Sequence, residues 1–161
     1  MNRASRSPQP VHLDWVLVAN AARARLFARD PDNNAMKELR SFVHPASRLK
    51  GSSLGADRGG QVRKSAVSTE FAPRIDVHQK EHASFAHELG AHLEDAARAH
   101  CYPRLDLIAS KEFLGELRAR LGSSTQRLLG VSVGLDLTLC EGAELERRVA
   151  ESLHRRSERV T

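Results

Sequence analysis

Aromatic residues are scarce in this chain: Phe, Trp and Tyr make up 4% of its 161 residues. A surface that reads single-stranded RNA by stacking bases on rings needs more of them, so a base-stacking platform is excluded. Cysteine is scarcer still. Cys101 and Cys140 lie far apart, without the spacing of a redox or zinc motif, and read as reduced, partly buried thiols of a cytoplasmic protein. No run approaches the roughly 18 apolar residues of a membrane helix, so no membrane partner is expected. Residues 1–10 carry arginines but not the apolar core of a secretory signal. Phosphate-binding P-loops, G-x-G-x-x-G turns and G-x-S-x-G elbows are missing, and no internal repeat is present.

The remaining composition is that of an ordinary globular domain, 40% hydrophobic and 28% charged. The length suits one domain with a real core. A net charge of +5 and a pI near 9.8 favour an anionic partner such as RNA, DNA or an acidic surface. The expected division is a disordered leader over 1–11, a single domain over 12–156 containing a long mobile loop over 45–75, and a tail over 157–161.

The apolar run Trp15-Val16-Leu17-Val18-Ala19 predicts a strand buried on both faces. Asn20-Ala21-Ala22 suits a tight turn, and residues 23–29 a second strand. Asp30-Pro31-Asp32-Asn33-Asn34 is turn chemistry, and 36–43 alternates as a third strand, completing an antiparallel meander. Residues 78–100 predict a helix whose stripe is Phe85, Leu89, Leu93 and Ala97. A fourth strand follows over 104–109. Ser110 can cap the next helix, which carries Glu112 in its first turn and buries Phe113, Leu114, Leu117 and Leu121. Residues 128–137 give a fifth strand. Thr138 with Glu141 forms a capping box for a last helix lined by Leu145, Val149 and Leu153. The order β-β-β-α-β-α-β-α implies an α/β fold with a mixed sheet and helices packed on it, matching a ribonuclease H-like architecture.

Such a fold does not by itself make a nuclease. Two-metal catalysis needs several converging carboxylates, the first of them within the first strand. That strand is apolar from Trp15 to Ala19, and Asp14, Asp106, Asp136, Glu88 and Glu94 lack that anchor. His78 and His82 share a helix face at i, i+4. His87 and His92 do not extend it, and the H-E-x-x-H order is absent, so the four read as a solvated histidine-rich face. Neither a metal nor a cofactor is expected.

One stretch, 45–75, shows neither helical nor strand periodicity, and contains Asp57-Arg58-Gly59-Gly60-Gln61. Loops longer than about 12–15 residues are uncommon in compact domains and are usually functional or disordered. From 46 to 69 the basic residues are Arg48, Lys50, Arg58, Arg63 and Lys64, against a single acid, Asp57. A glycine-rich basic loop suits a phosphate-bearing partner.

Several segments resemble the bacterial host attachment protein family. They begin with Asp14-Trp15-Val16-Leu17-Val18-Ala19-Asn20 and Ala24-Arg25-Leu26-Phe27. Next come His44-Pro45, Arg48-Leu49-Lys50 and Leu54 through Asp57-Arg58-x-Gly60. Phe85-Ala86, Leu93-Glu94, Leu105 to Ala109, Phe113-Leu114-Gly115-Glu116-Leu117-Arg118 and Asp136-Leu137-Thr138 complete the set. The resemblance covers most of 13–150. It implies a role in host attachment rather than a chemical activity. The family is also similar to the middle domain of archaeal and eukaryotic release factors, where a Gly-Gly-Gln loop follows the third strand and precedes the first long helix. Gly59-Gly60-Gln61 falls at that place. The chain departs from the family in lacking its more usual proline-glycine pair there, and in carrying Leu135 where a lysine is usual. The codon-reading and partner-binding domains of release factors have no counterpart, so stop-codon reading is not expected.

The release-factor resemblance implies catalytic roles for Gly59, Gly60 and Gln61. Hydrolysis of peptidyl-tRNA needs a water held at the ester carbonyl and donors for the developing oxyanion. Two glycines let the main chain approach a crowded site. The Gln61 N–H would serve the oxyanion, and Arg48, Lys50, Arg58, Arg63 and Lys64 would contact RNA phosphates. Two functions follow as expectations. One is a ribosome- or tRNA-associated module acting through this loop, in ribosome-dependent ester hydrolysis if it is an enzyme. The other is a non-enzymatic interaction protein whose basic loop binds a protein or an anionic surface.

Overall fold

The computed structural model describes residues 13–44 and 71–159, the first six of the second stretch by backbone alone. Five strands form one sheet: β1 (Asp14–Ala19), β2 (Arg23–Arg29), β3 (Met36–Val43), β4 (Leu105–Ala109) and β5 (Leu129–Gly134). Four helices accompany them among the described residues: α1 (Phe71–Arg98), α2 (Lys111–Ala119), α3 (Ser123–Leu128) and α4 (Gly142–Ser157). The sheet order is β3-β2-β1-β4-β5. β1, β2 and β3 pair antiparallel, while β4 runs parallel to β1 and β5 parallel to β4. The expected α/β class, mixed sheet and opening meander are therefore present.

Alternation along the central strands divides the core in two. Leu17 and Ala19 of β1, Leu26 of β2 and Leu105 and Leu107 of β4 pack with Phe85, Leu89 and Leu93 of α1 and Phe113 and Leu117 of α2. Val16, Val18, Phe27 and Ile108 point the other way and meet Leu145, Val149 and Leu153 of α4. Each buried Leu, Val or Phe contributes roughly 1.5–3 kcal/mol from apolar transfer. The β1 run is apolar throughout because it carries helices on both faces. The β2–β3 turn is held by its own side chains: Asp30 and Asn33 accept from the Asp32 and Ala35 amides at 2.9 and 2.8 Å. Asn34 takes φ of 61°, a left-handed value that Asn tolerates.

Four local expectations need correction. The first helix starts at Phe71, not 78, so 71–75 is helix rather than loop. Pro73 lies within that helix's first turn, where its missing N–H has no intrahelical partner to lose. The helix ends on a left-handed His100, with the Cys101 N–H bonded to the Ala96 carbonyl and the His100 N–H to that of Ala97. Secondly, α3 interrupts the expected order between α2 and β5, and β5 is shorter than 128–137. Thirdly, the Thr138–Glu141 capping box does not form. Glu141 precedes α4 without a side-chain cap, and Gly142 opens the helix at φ 53°, a value suited to glycine. The Thr138 hydroxyl is instead bonded to Asp136. Fourthly, Cys101 is exposed rather than partly buried. Ser110 does precede α2, but its side chain makes no capping bond. No helix among the described residues is long and apolar enough to cross a membrane.

Candidate functional site

Open α/β sheets gather ligands at the carboxyl ends of their parallel strands. At that edge of this sheet, Asn20 leaves β1 and Asp136 follows β5. The Asn20 side-chain carbonyl accepts from the Ala22 and Arg23 amides, both at 2.9 Å, which closes the β1–β2 turn. Its amide donates to Asp136 Oδ2 at 2.9 Å and Thr138 Oγ1 at 3.0 Å. Asp136 Oδ1 accepts from the Thr138 N–H and hydroxyl at 2.9 and 2.7 Å. Burial raises the Asp136 pKa, but these bonds and nearby Arg23 outweigh it and hold the carboxyl below its ordinary range. The triad ties two strand ends together with its polar groups largely satisfied.

His44, the last described residue before 45–70, lies at the same edge. Its Nε2 sits 2.6 Å from Glu81 Oε2 of α1, and its ring stacks on Phe85 with centroids 5.2 Å apart. The His44 N–H donates to the Ala22 carbonyl at 2.9 Å. The chain thus leaves β3 from a point fixed to both the β1–β2 turn and the first long helix. Three exposed large hydrophobic residues also occupy this edge: Val43, Val77 and Leu139, the last 80% exposed.

The opposite edge holds a polar cavity of about 560 Å³ beneath the end of α4, lined by Asp14, Arg29, Arg104, Asp106, Glu151 and His154 among others. Asp106 is 1% exposed. Its Oδ1 accepts from the Val131 N–H at 2.7 Å and from Arg104 Nε and Nη2 at 3.1 and 3.0 Å. Gly130 is required here, because a Cβ would collide with Asp106 and Arg104. Asp14 is bonded less completely. Burial first, then the neighbouring Asp106 charge, raise its pKa, and Arg104 and Arg29 only partly offset them. Arg29 donates through Nη2 to Asn34, while its buried Nε has no partner.

Glu94 marks a third polar site, between helices. It is 8% exposed, and it accepts from the Ser124 N–H at 3.2 Å and from the Thr125 N–H and hydroxyl at 2.9 and 3.0 Å. The Thr125 N–H is the chief reason its pKa falls to about 2; burial opposes this, and the Ser124 and Thr125 contacts add to it. A carboxylate from α1 thereby caps α3 from outside.

These placements settle where the sequence-predicted groups lie. Asp136 is at one edge of the sheet, Asp14 and Asp106 at the other, and Glu94 is committed to α3. Among the described residues no three His, Cys, Asp or Glu side chains are grouped as metal ligands. The histidines do not form one solvated face: His78 and His87 are exposed, but His82 and His92 are half-buried. His82 meets Phe113 edge-on, and His92 meets Phe42 edge-on. Burial and then Arg40 lower the His92 pKa. Gly59, Gly60, Gln61, Arg48, Lys50, Arg58, Arg63 and Lys64 lie outside the described residues. Sequence reasoning missed the Asn20–Asp136–Thr138 triad and the His44–Glu81 pair. The signal available was a polar Asn directly after an apolar strand, and a His directly before a long aperiodic stretch.

A five-stranded mixed sheet between helices, polar at both strand ends, defines a small α/β domain. A match over residues 15–149 shows that this chain belongs to the family described as "Protein required for attachment to host cells". No curated protein matches the chain in a sequence comparison.

Proposed function

We propose that the protein is a ribosome- or tRNA-associated module with a ribonuclease H-like fold, related to release-factor middle domains and acting through Gly59, Gly60 and Gln61. The carrying observation is that Gly-Gly-Gln lies in the connection between β3 and α1. That connection starts at His44, held against α1 by Glu81 and Phe85. Three antiparallel strands followed by two helix-separated parallel strands support the ribonuclease H-like reading. α3 is an addition to the expected order. In this reading the Gln61 N–H stabilises the oxyanion, and the ribosome and tRNA supply the remaining groups. Arg58, Arg63 and Lys64 meet phosphates, making binding salt-dependent.

The test has two arms. Co-sedimentation with ribosomes should depend on Arg58, Arg63 and Lys64. Release of labelled peptide from stalled ribosomes should require Gly60, with Gly60→Ala inactive and Gln61→Ala milder because its N–H remains. Absence of both binding and release at saturating protein removes this reading. A second reading, a non-enzymatic interaction protein, draws on exposed Val43, Val77 and Leu139 at the same edge. Exposed apolar side chains beside the basic connection suit contact with another protein. Sedimentation free of ribosomes at low salt would favour it.

A further inference from the structure

We propose that the free edge of β5 is a docking groove for an extended acidic peptide, which adds to the sheet as a further strand. The sheet ends at β5, so among the described residues one side of that strand has no neighbouring strand. The Leu135 N–H donates inward to the Ala109 carbonyl at 2.7 Å and the Val131 N–H to Asp106 at 2.7 Å. Alternation turns the N–H and C=O groups of Ser132 and Gly134 outward. β5 itself, Leu-Gly-Val-Ser-Val-Gly, carries no charge.

Arginines stand on both sides of this edge. A cavity of about 490 Å³ is lined by Arg118 of α2, by Gly130 and Ser132, and by Arg156 of α4. A second, of about 310 Å³, is lined by Val133, Gly134, Arg155, Arg156 and Arg159. Arg118, Arg155, Arg156 and Arg159 are exposed and have no ion-pair partner among the described residues. Arg25, Arg98, Arg120 and Arg147 elsewhere are each paired with a glutamate. Other described basic residues, Lys37, Arg40 and Arg127 among them, also lack an acidic partner, but here four arginines without one flank the outermost described strand of the sheet.

The chemistry selects the occupant. An edge offers donors and acceptors in alternation, which another peptide backbone matches. Phosphate oxygens only accept, and would face the outward carbonyls unfavourably. A second copy of this chain would bring arginines against arginines. An added acidic strand places successive side chains on opposite faces, towards Arg118 on one and Arg155 and Arg156 on the other.

The probe is a fluorescein-labelled peptide of three Glu-Val-Glu repeats, followed by anisotropy at low salt with the full chain. Binding is expected. N-methylation at alternate peptide residues keeps the charge but removes strand hydrogen bonds, and should weaken binding about tenfold or more. Arg118→Glu with Arg156→Glu should do the same by reversing charge. Ser132→Pro should remove an outward N–H at an edge position, where proline is tolerated. If Ser132→Pro misfolds, the methylated peptide and the exposed arginine pair still decide. Equal binding of the methylated peptide, tighter binding of oligo-uridine, or no binding each overturns the proposal. No ribosome takes part and no residue of 45–70 is altered, so this outcome is separate from that of the release assay.

Discussion

The two ends of the sheet use polar residues differently. At the carboxyl end, Asn20, Asp136 and Thr138 bond to one another and to a turn, so their hydrogen-bonding capacity serves the scaffold. At the opposite end, Asp106 is equally committed, but Asp14 and Arg29 face a cavity with fewer bonds and, for Arg29 Nε, none. Residues with similar chemistry thus differ in how far their neighbours satisfy them. A satisfied network is expected to be expensive to break, and an unsatisfied one cheap.

Substitutions can break or sharpen that contrast. The largest effect is expected at Asp106→Ala, which orphans the half-buried Val131 N–H and frees Arg104. A loss of about 3–5 kcal/mol should appear in urea unfolding. Asn20→Ala comes next. It removes four hydrogen bonds at the carboxyl end and should lower stability by about 2–3 kcal/mol. Gly122→Ala should cost about 1–3 kcal/mol by overpacking, because its Cβ would strike the Glu94 carboxyl. Glu94 also gives a pH signature. Its folded pKa of about 2 lies below the ordinary 4.5. Its stabilisation is therefore complete above the ordinary value and is lost as pH falls towards 2. Wild type should lose stability more steeply over that window than Glu94→Gln, in denaturant melts at successive pH values. The smallest effect is expected at Asp14→Asn. A raised pKa means folding disfavours the charged carboxyl, so the variant should match or slightly exceed wild type at pH 7, by less than about 1 kcal/mol. The difference should vanish below pH 3.8, the ordinary value. A clear loss at Asp14→Asn together with a silent Asn20→Ala would invert the contrast.

Much of the fold was legible because burial repeats locally. The β1 run, the α1 stripe from Phe85 to Ala97 and the α4 stripe follow from side-chain period, whereas β3, exposed over most of its length, is delimited by the turn residues before it. Failures fell where a distant group decides the local structure. Ser123-Ser124-Thr125 has modest helix propensity, and α3 is capped by Glu94, about 30 residues earlier. Thr138 and Glu141 spell a capping box, but Asp136 and Asn20 take up the Thr138 hydroxyl. Of the proposed site, sequence supplied the Gly-Gly-Gln segment and its charges, whereas the His44–Glu81 anchor and the Asp14–Arg29 cavity require positions that only folding brings together.

The external cap on α3 also constrains the order of folding. A six-residue helix is too short to nucleate alone in water. Its N-terminal amides find their acceptor only once α1 has docked, so α3 is a late element whose formation waits on a longer helix encoded earlier in the chain. The Ser124 and Thr125 amides should therefore gain hydrogen-exchange protection after the Leu89 and Leu93 region of α1, and lose it whenever α1 detaches.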